Sequence, residues 1–152
     1  MRVLSVNVGL PREVFWRGKP VTTGIWKEPV LGPVRLHGLN LDGDRQADLR
    51  VHGGPDKAVY AYPSEFYELW SRERPELDLG PGSFGENLTT EGLLDDDVSV
   101  GDRFRLGTAE LVVTATAVAL LQARDPHGPR PVRDRVPRTR PARLLPRGRA
   151  RG

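Results

Sequence analysis

The chain contains no cysteine. Disulfides, thiolate nucleophiles and zinc–thiolate centres are therefore excluded. No run approaches the roughly 20 apolar residues that a membrane helix needs. The opening Met1-Arg2-Val3-Leu4-Ser5-Val6-Asn7-Val8 has no long apolar core and no small-residue cleavage site, so no secretory signal is expected. These absences predict a soluble, cytoplasmic protein with no membrane partner. Apolar residues make up only 38% of the chain, and 17 Gly and 14 Pro stand among its 152 residues. Few core formers and many turn formers predict a loop-rich or β-rich fold, or a segment that does not fold. The length is that of one ordinary domain.

The net charge of +3 is unevenly spread. Residues 1–122 hold 13 Lys or Arg against 18 Asp or Glu, while residues 123–152 hold ten Arg against two Asp. The basic character thus belongs to the last thirty residues. The body is mildly acidic and has no basic face for nucleic acid, which is not an expected partner. The same thirty residues carry six Pro and no helix or strand period. They read as a disordered basic tail, and His127 within them carries no weight. An Arg-rich arm on phosphates is the functional alternative, but it has no aromatic platform for stacking bases.

Along the body, short Val-rich stretches alternate with Gly, Pro and Asp turns. Strands are expected at residues 2–8, 14–16 and 19–21 (a hairpin about Arg17-Gly18), 25–30, 34–41, 57–62, 83–89, 98–101, 103–106 and 109–114. Pro29 places its strand at an edge. One good helix begins at Pro63, puts Phe66, Tyr67, Leu69 and Trp70 on one broad face, and stops at Pro75. Trp16, Trp26 and Trp70 are expected to fill the core. Many short strands with one helix predict a closed β-barrel or a sandwich.

The densest chemistry lies between Gln46 and Tyr62. Arg50, His52, Gly53, Gly54, Asp56 and Lys57 crowd one loop that runs into an apolar strand. The glycine pair uncovers backbone N–H groups to which an anion can come close. Lys57 adds a mobile positive charge, and His52 changes charge near neutral pH. Two readings are open: a ligand site, or a structural turn with charged edges. Gly85 and Asn87 have the same two readings, pocket lining or structural bulge. His37 reads as a packed or edge residue rather than a ligand. Asp95-Asp96-Asp97 reads as a solvated loop rather than a cation site. No metal ligands are assigned.

Three blocks carry a family resemblance. They are Gly43-Asp44-Arg45-Gln46-Ala47-Asp48-Leu49, His52-Gly53-Gly54-Pro55-Asp56-Lys57-Ala58-Val59-Tyr60-Ala61-Tyr62, and Pro81-Gly82-Ser83-Phe84-Gly85-Glu86-Asn87-Leu88-Thr89-Thr90-Glu91-Gly92-Leu93, with Val98 to Gly107 as a following hairpin. They resemble the core blocks of MOSC domains, of the stand-alone bacterial YiiM-like type, over residues 1–114. The resemblance implies a mainly β fold, a distorted barrel with one or two short helices. It also implies a molybdenum–pterin cofactor, held here by Arg50, His52, Gly53, Gly54, Asp56, Lys57, Gly85 and Asn87. The implied activity is reduction of small N-hydroxylated compounds such as hydroxylaminopurines, with electrons from a donor protein. The alternative is a non-catalytic domain that carries the cofactor or its sulfur. Pyridoxal phosphate is not expected.

The sequence departs from the family at one place. Family members continue after the last strand with Gln-Pro-Arg-x-x-Pro-Cys-x-Lys-Leu, whose cysteine would ligate the metal. This chain reads Ala115 to Ala123 instead, with Leu120 in the place of the cysteine. Read one base out of register with permitted synonymous codons, Thr114 to Ala123 becomes Gln-Pro-Arg-Pro-Ser-Pro-Cys-Phe-Lys-Leu. Residues 115–152 are therefore expected to be an aberrant, frameshifted tail, with a genuine divergent terminus as the alternative, and the chain is expected to be inactive as written.

Overall fold

A computed structural model describes residues 1–47, 57–115 and 120–124, the last five as backbone. Eleven strands account for most of the regular structure. They are β1 (Arg2–Val8), β2 (Arg12–Trp16), β3 (Lys19–Thr23), β4 (Glu28–Pro29), β5 (Leu36–His37), β6 (Asn40–Leu41), β7 (Val59–Pro63), β8 (Leu88–Glu91), β9 (Arg103–Leu106), β10 (Ala109–Ala115) and β11 (Leu120–Arg124). The one α-helix among the described residues, α1 (Ser64–Glu73), joins β7 to β8. A 3-10 turn spans Asp95–Asp97 and is exposed.

Seven strands make one sheet in the order β4-β1-β8-β7-β11-β10-β9, while β2–β3 and β5–β6 pair as separate hairpins. The fold is mainly β, as expected. The sheet is open, however: β4 and β9 end it, and no closed ring forms among the described residues. Pro29 does sit on an edge strand, in register with Asn7. Most pairs are antiparallel, but β7 and β8 run parallel. Parallel neighbours cannot be joined by a tight turn, and α1 supplies the crossover. The core lies on this central pair, where Val59, Ala61 and Leu88 pack with Ala58, Leu93, Val98, Leu111 and Val113. β1 bulges between Val3 and Ser5, so its alternation breaks and Leu4 turns outward.

Helix α1 starts at an extended Pro63 and has an acid, Glu65, in its first turn. It closes with the Arg74 N–H donated to the Trp70 carbonyl at 2.7 Å. No residue of α1 is fully buried. Phe66 and Tyr67 turn inward, each with its ring 5.6 Å from Tyr62. Leu69 faces outward, and Trp70 lies at the boundary with its indole N–H turned in to Tyr62. The broad apolar face predicted for this helix is therefore split.

Several expectations change for stated reasons. The strand foreseen at 83–89 is only Leu88–Glu91, because Gly82 and Gly85 adopt positive φ and coil residues 81–85 into turns. Residues 98–101 form a turn rather than a strand, held by the Ser99 N–H on the Asp102 carboxylate at 2.8 Å. The three tryptophans do not fill the core. Trp16 is exposed because the β2–β3 hairpin joins no larger sheet, and Trp26, in the segment between β3 and β4, is exposed beneath the Arg12 guanidinium. Trp70 donates its indole N–H to the Tyr62 hydroxyl at 3.0 Å and leaves its outer edge in solvent. Finally, β11 lies within the stretch assigned to the tail. Its backbone pairs with β10 on one side and β7 on the other, a non-local stabilisation that no local pattern announces. Among the described residues no helix is long and apolar enough to cross a membrane.

Candidate functional site

Among the described residues one buried ion pair lies close to the sheet. The Lys27 ammonium and the Asp44 carboxylate form an ion pair whose side chains are 6% and 0% exposed. Burying such charges is costly unless every remaining valence finds a partner. Asp44 meets that condition. Its Oδ1 also accepts the Gly9 N–H at 3.0 Å, and its Oδ2 accepts the Asn87 amide at 2.9 Å.

Asn87 ties this pair to the sheet. Its Nδ2 reaches the Asn7 carbonyl at 3.3 Å, and its Oδ1 accepts the Tyr60 N–H at 3.1 Å. Its main chain bonds both β7 and β1, with the N–H on the Tyr60 carbonyl and the carbonyl on the Asn7 N–H, each at 2.7 Å. Asn7 continues the network to Thr89 at 3.0 Å.

Glu86, completely buried, anchors the turn before Asn87. Its Oε1 accepts from the Tyr67 hydroxyl at 2.5 Å, the Gly82 N–H at 2.7 Å and the Thr89 hydroxyl at 2.7 Å. Its Oε2 accepts the Phe84 N–H at 3.2 Å. Gly82 and Gly85 bring this turn against the segment before β4. A Cβ on Gly82 would lie 2.4 Å from the Lys27 carbonyl, and one on Gly85 2.8 Å from Ile25 Cγ1.

A cavity of about 400 Å³ opens beside Asp44, lined by His37 and residues 40–46. Its wall is polar. His37 Nε2 stands 3.7 Å from the Asp42 carboxylate, both well exposed, and Arg45 is exposed on the same wall. His37 is thus an edge residue of a two-stranded hairpin, as expected.

Of the residues predicted to form the site, Arg50, His52, Gly53, Gly54 and Asp56 lie outside the described residues. Lys57 is exposed, two positions before β7. Gly85 and Asn87 are spent on packing and on the internal network, and neither lines the cavity. Leu120 begins β11 in register with Tyr60, whose neighbour on the other side is Asn87. Lys27, Asp44 and Glu86 were missed as buried charges. Lys27 read as part of an edge strand and Asp44 as part of a turn. Local sequence carries no sign that segments 80 residues apart close over them.

Comparison with known proteins decides what this arrangement belongs to. Residues 48–119 match the model of the MOSC domain. The chain carries a MOSC domain. It is 47% identical over 114 residues to YflK of Bacillus subtilis (strain 168), described as uncharacterized, and 46% identical over 105 residues to YiiM of Escherichia coli (strain K12). These alignments cover 74% and 67% of the chain, but 50% and 46% of the relatives. The chain thus spans about half the length of the curated relatives it matches. A protein of Gibberella moniliformis (strain M3125 / FGSC 7600) described as a reductase is 38% identical over 92 residues, 59% of this chain and 16% of that protein. Among solved structures, YiiM from Geobacillus stearothermophilus aligns with a TM-score of 0.58 and 28% identity, covering 80% of this chain and 67% of that one.

The matched MOSC segment begins just after the cavity wall and runs through β7, α1, β8 and β10. Lys27 and the whole of the cavity wall precede it. Its two inward tyrosines are electrostatically unusual. Burial, and then the charges of Tyr62, Glu86 and Asp95, raise Tyr60 to about 12. Burial, followed by the hydrogen bond to Glu86, pushes Tyr67 upward as well. A phenol that holds its proton more tightly when folded stabilises the fold fully below its unfolded pKa, roughly 10. That contribution is lost as pH rises through the folded value. We expect ultraviolet phenolate titration to show two tyrosines ionising late, with stability falling from about pH 10 upward. Two or more of the three tyrosines titrating at the ordinary value would contradict this.

Proposed function

We propose that this MOSC protein handles a molybdenum–pterin cofactor, and that the reduction of N-hydroxylated compounds belongs to a form of it with a thiolate restored. Four things support the reading. The domain is of the MOSC family, and one relative is described as a reductase. A polar cavity adjoins the start of the matched segment. Most specifically, Leu120, which holds the place expected for the cysteine, pairs with Tyr60, one strand from Asn87 and hence from the buried Lys27–Asp44 pair.

The donor set present does not fit the metal. The chain has no sulfur donor of the cysteine kind. Among the described residues no three His, Asp or Glu side chains converge as metal ligands. Molybdenum favours a soft thiolate in such a place, and carboxylates and imidazole at the cavity wall do not replace it. For the chain as written, the second reading therefore gains: a binding domain for the cofactor or its sulfur, without turnover. Its place would be the cytoplasm, where a small-molecule substrate and an electron-donor protein would meet the restored form.

The anionic end of the cofactor makes different demands. Exposed cations and open backbone donors suffice there, and Lys57 and Arg45 are both exposed. Lys57→Ala and Arg45→Ala should each lower the pterin content of protein purified from a cofactor-producing host by several-fold. Pterin is read from the fluorescence of its oxidised form. Pterin content equal to that of the parent in both variants would remove the assignment.

A further inference from the structure

Two exposed apolar surfaces of opposite charge stand on this chain, and among the described residues no element covers either. The first is the β2–β3 hairpin. Alternation along its strands puts Arg12, Val14 and Trp16 on one face, in register with Thr23, Val21 and Lys19 of β3. Trp16 is 66% exposed, and Phe15 on the opposite face is 77% exposed. The Arg17 guanidinium lies 5.8 Å from the centre of the Trp16 ring, and that of Arg12 lies 4.9 Å from the centre of the neighbouring, exposed Trp26. Arg12, Arg17 and Lys19 outnumber Glu13, so the hairpin is basic.

The second surface is the outer face of α1. Leu69 and Glu73 stand four residues apart and so share a stripe, with the exposed part of Trp70 beside it, while the Glu65 carboxylate is turned to the Gly92 N–H. Leu69 is 48% exposed, and Leu77 just past the helix is also exposed. Residues 64–78 hold five carboxylates against Arg72 and Arg74. Each of those arginines is paired with a glutamate of the same segment, Glu68 and Glu76. The face is acidic and apolar where the hairpin is basic and apolar.

We infer that the chain self-associates, the β2–β3 hairpin of one copy docking on the outer face of α1 of a second copy. A two-stranded hairpin standing alone is marginal in water, and clustered exposed aromatics of this size mark interaction surfaces. Charge complementarity selects the partner. The rest of the body is acidic, so an acidic helix face of the same chain suits the hairpin, while a polyphosphate would meet that body's repulsion. One hairpin on one helix is a small contact. Across a two-fold axis the contact is made twice, once in each direction, which doubles the buried surface. The inference is independent of the cofactor reading, since none of these residues lines the cavity.

The test is sedimentation velocity of the full chain over a wide concentration range at low and high salt. A dimer that dissociates on dilution, and more readily as salt rises, is expected. The double variants Arg17→Glu with Lys19→Glu, and Glu68→Lys with Glu73→Lys, change only exposed charges. Each should weaken association by roughly tenfold or more, with an unchanged circular dichroism spectrum. An equimolar mixture of the two variants should associate again, because one of the two contacts then joins a reversed hairpin to a reversed helix. A parent that stays monomeric at every concentration would overturn the inference. So would variants that associate like the parent, or a mixture that stays apart. Cross-links joining α1 to residues 125–152 of the same molecule would assign that face to the chain's own tail, and would overturn it too.

Discussion

Asp44→Ala should remove about 3–5 kcal/mol of stability, the cost of leaving a buried charge without its partner. The Lys27 ammonium has almost no access to water, and Asp44 is its ion-pair partner. Truncation also strips an acceptor from the Gly9 N–H and from the Asn87 amide, each an unsatisfied donor in a dry site. Against a total of roughly 5–15 kcal/mol for a domain, the loss is large enough to unfold much of the population. Lys27→Met should cost less. It leaves Asp44 with its two remaining donors and fills the vacated volume with an unbranched side chain. Urea unfolding measures both. With a slope of roughly 1–3 kcal/mol per M, the Asp44→Ala midpoint should fall by about 1 M or more. A midpoint that moves by less than about 0.3 M would mean that the network does not hold the fold together.

The chain as written should show no molybdenum-dependent reduction of a hydroxylamino compound above background, and a frame-corrected version should turn over. The chemical reason is the donor set. Leucine at position 120 has neither the lone pair nor the charge that a soft metal needs. The restored sequence would put a thiol at that position, in a strand paired with Tyr60. Both proteins should be expressed in a cofactor-producing host and assayed with a supplied electron donor, with bound molybdenum measured in parallel. Bound metal and turnover in the corrected protein alone are the expected result. Equal metal and equal turnover in the two would refute both the frameshift reading and the role given to the missing cysteine.

Legibility from sequence followed the range of the interactions. The β2–β3 hairpin was readable because its turn, Arg17-Gly18, is local and both residues take positive φ. β1, β7, β9, β10 and α1 were readable from their periods. β11 was not, because its partners are distant in sequence and its own residues carry no turn or alternation signal. The tryptophans were misplaced by a sound general rule: large aromatics are usually covered, yet Trp16 sits on a hairpin that no sheet absorbs and Trp26 on the exposed segment that follows it. The candidate site divided in the same way. Gly85 and Asn87 were recognised as important from their motif, but the structure gives them internal partners and leaves the cavity wall to residues 37–46.

The amino-acid sequence by itself determined the mainly β class, the MOSC resemblance, the uneven charge and the absence of any thiolate. Composition and short-range pattern are enough for these, because each depends on residue type or on neighbours a few positions apart. Only the tertiary structure decided that the described sheet stays open, that Glu86 is entirely enclosed, and that Lys27 and Asp44 share one dry site with Asn87. Ionic groups can be buried only where several remote donors and acceptors converge on them. Here those partners are Gly9, Lys27 and Asn87 for Asp44 and Tyr67 for Glu86, and only the folded chain brings them together.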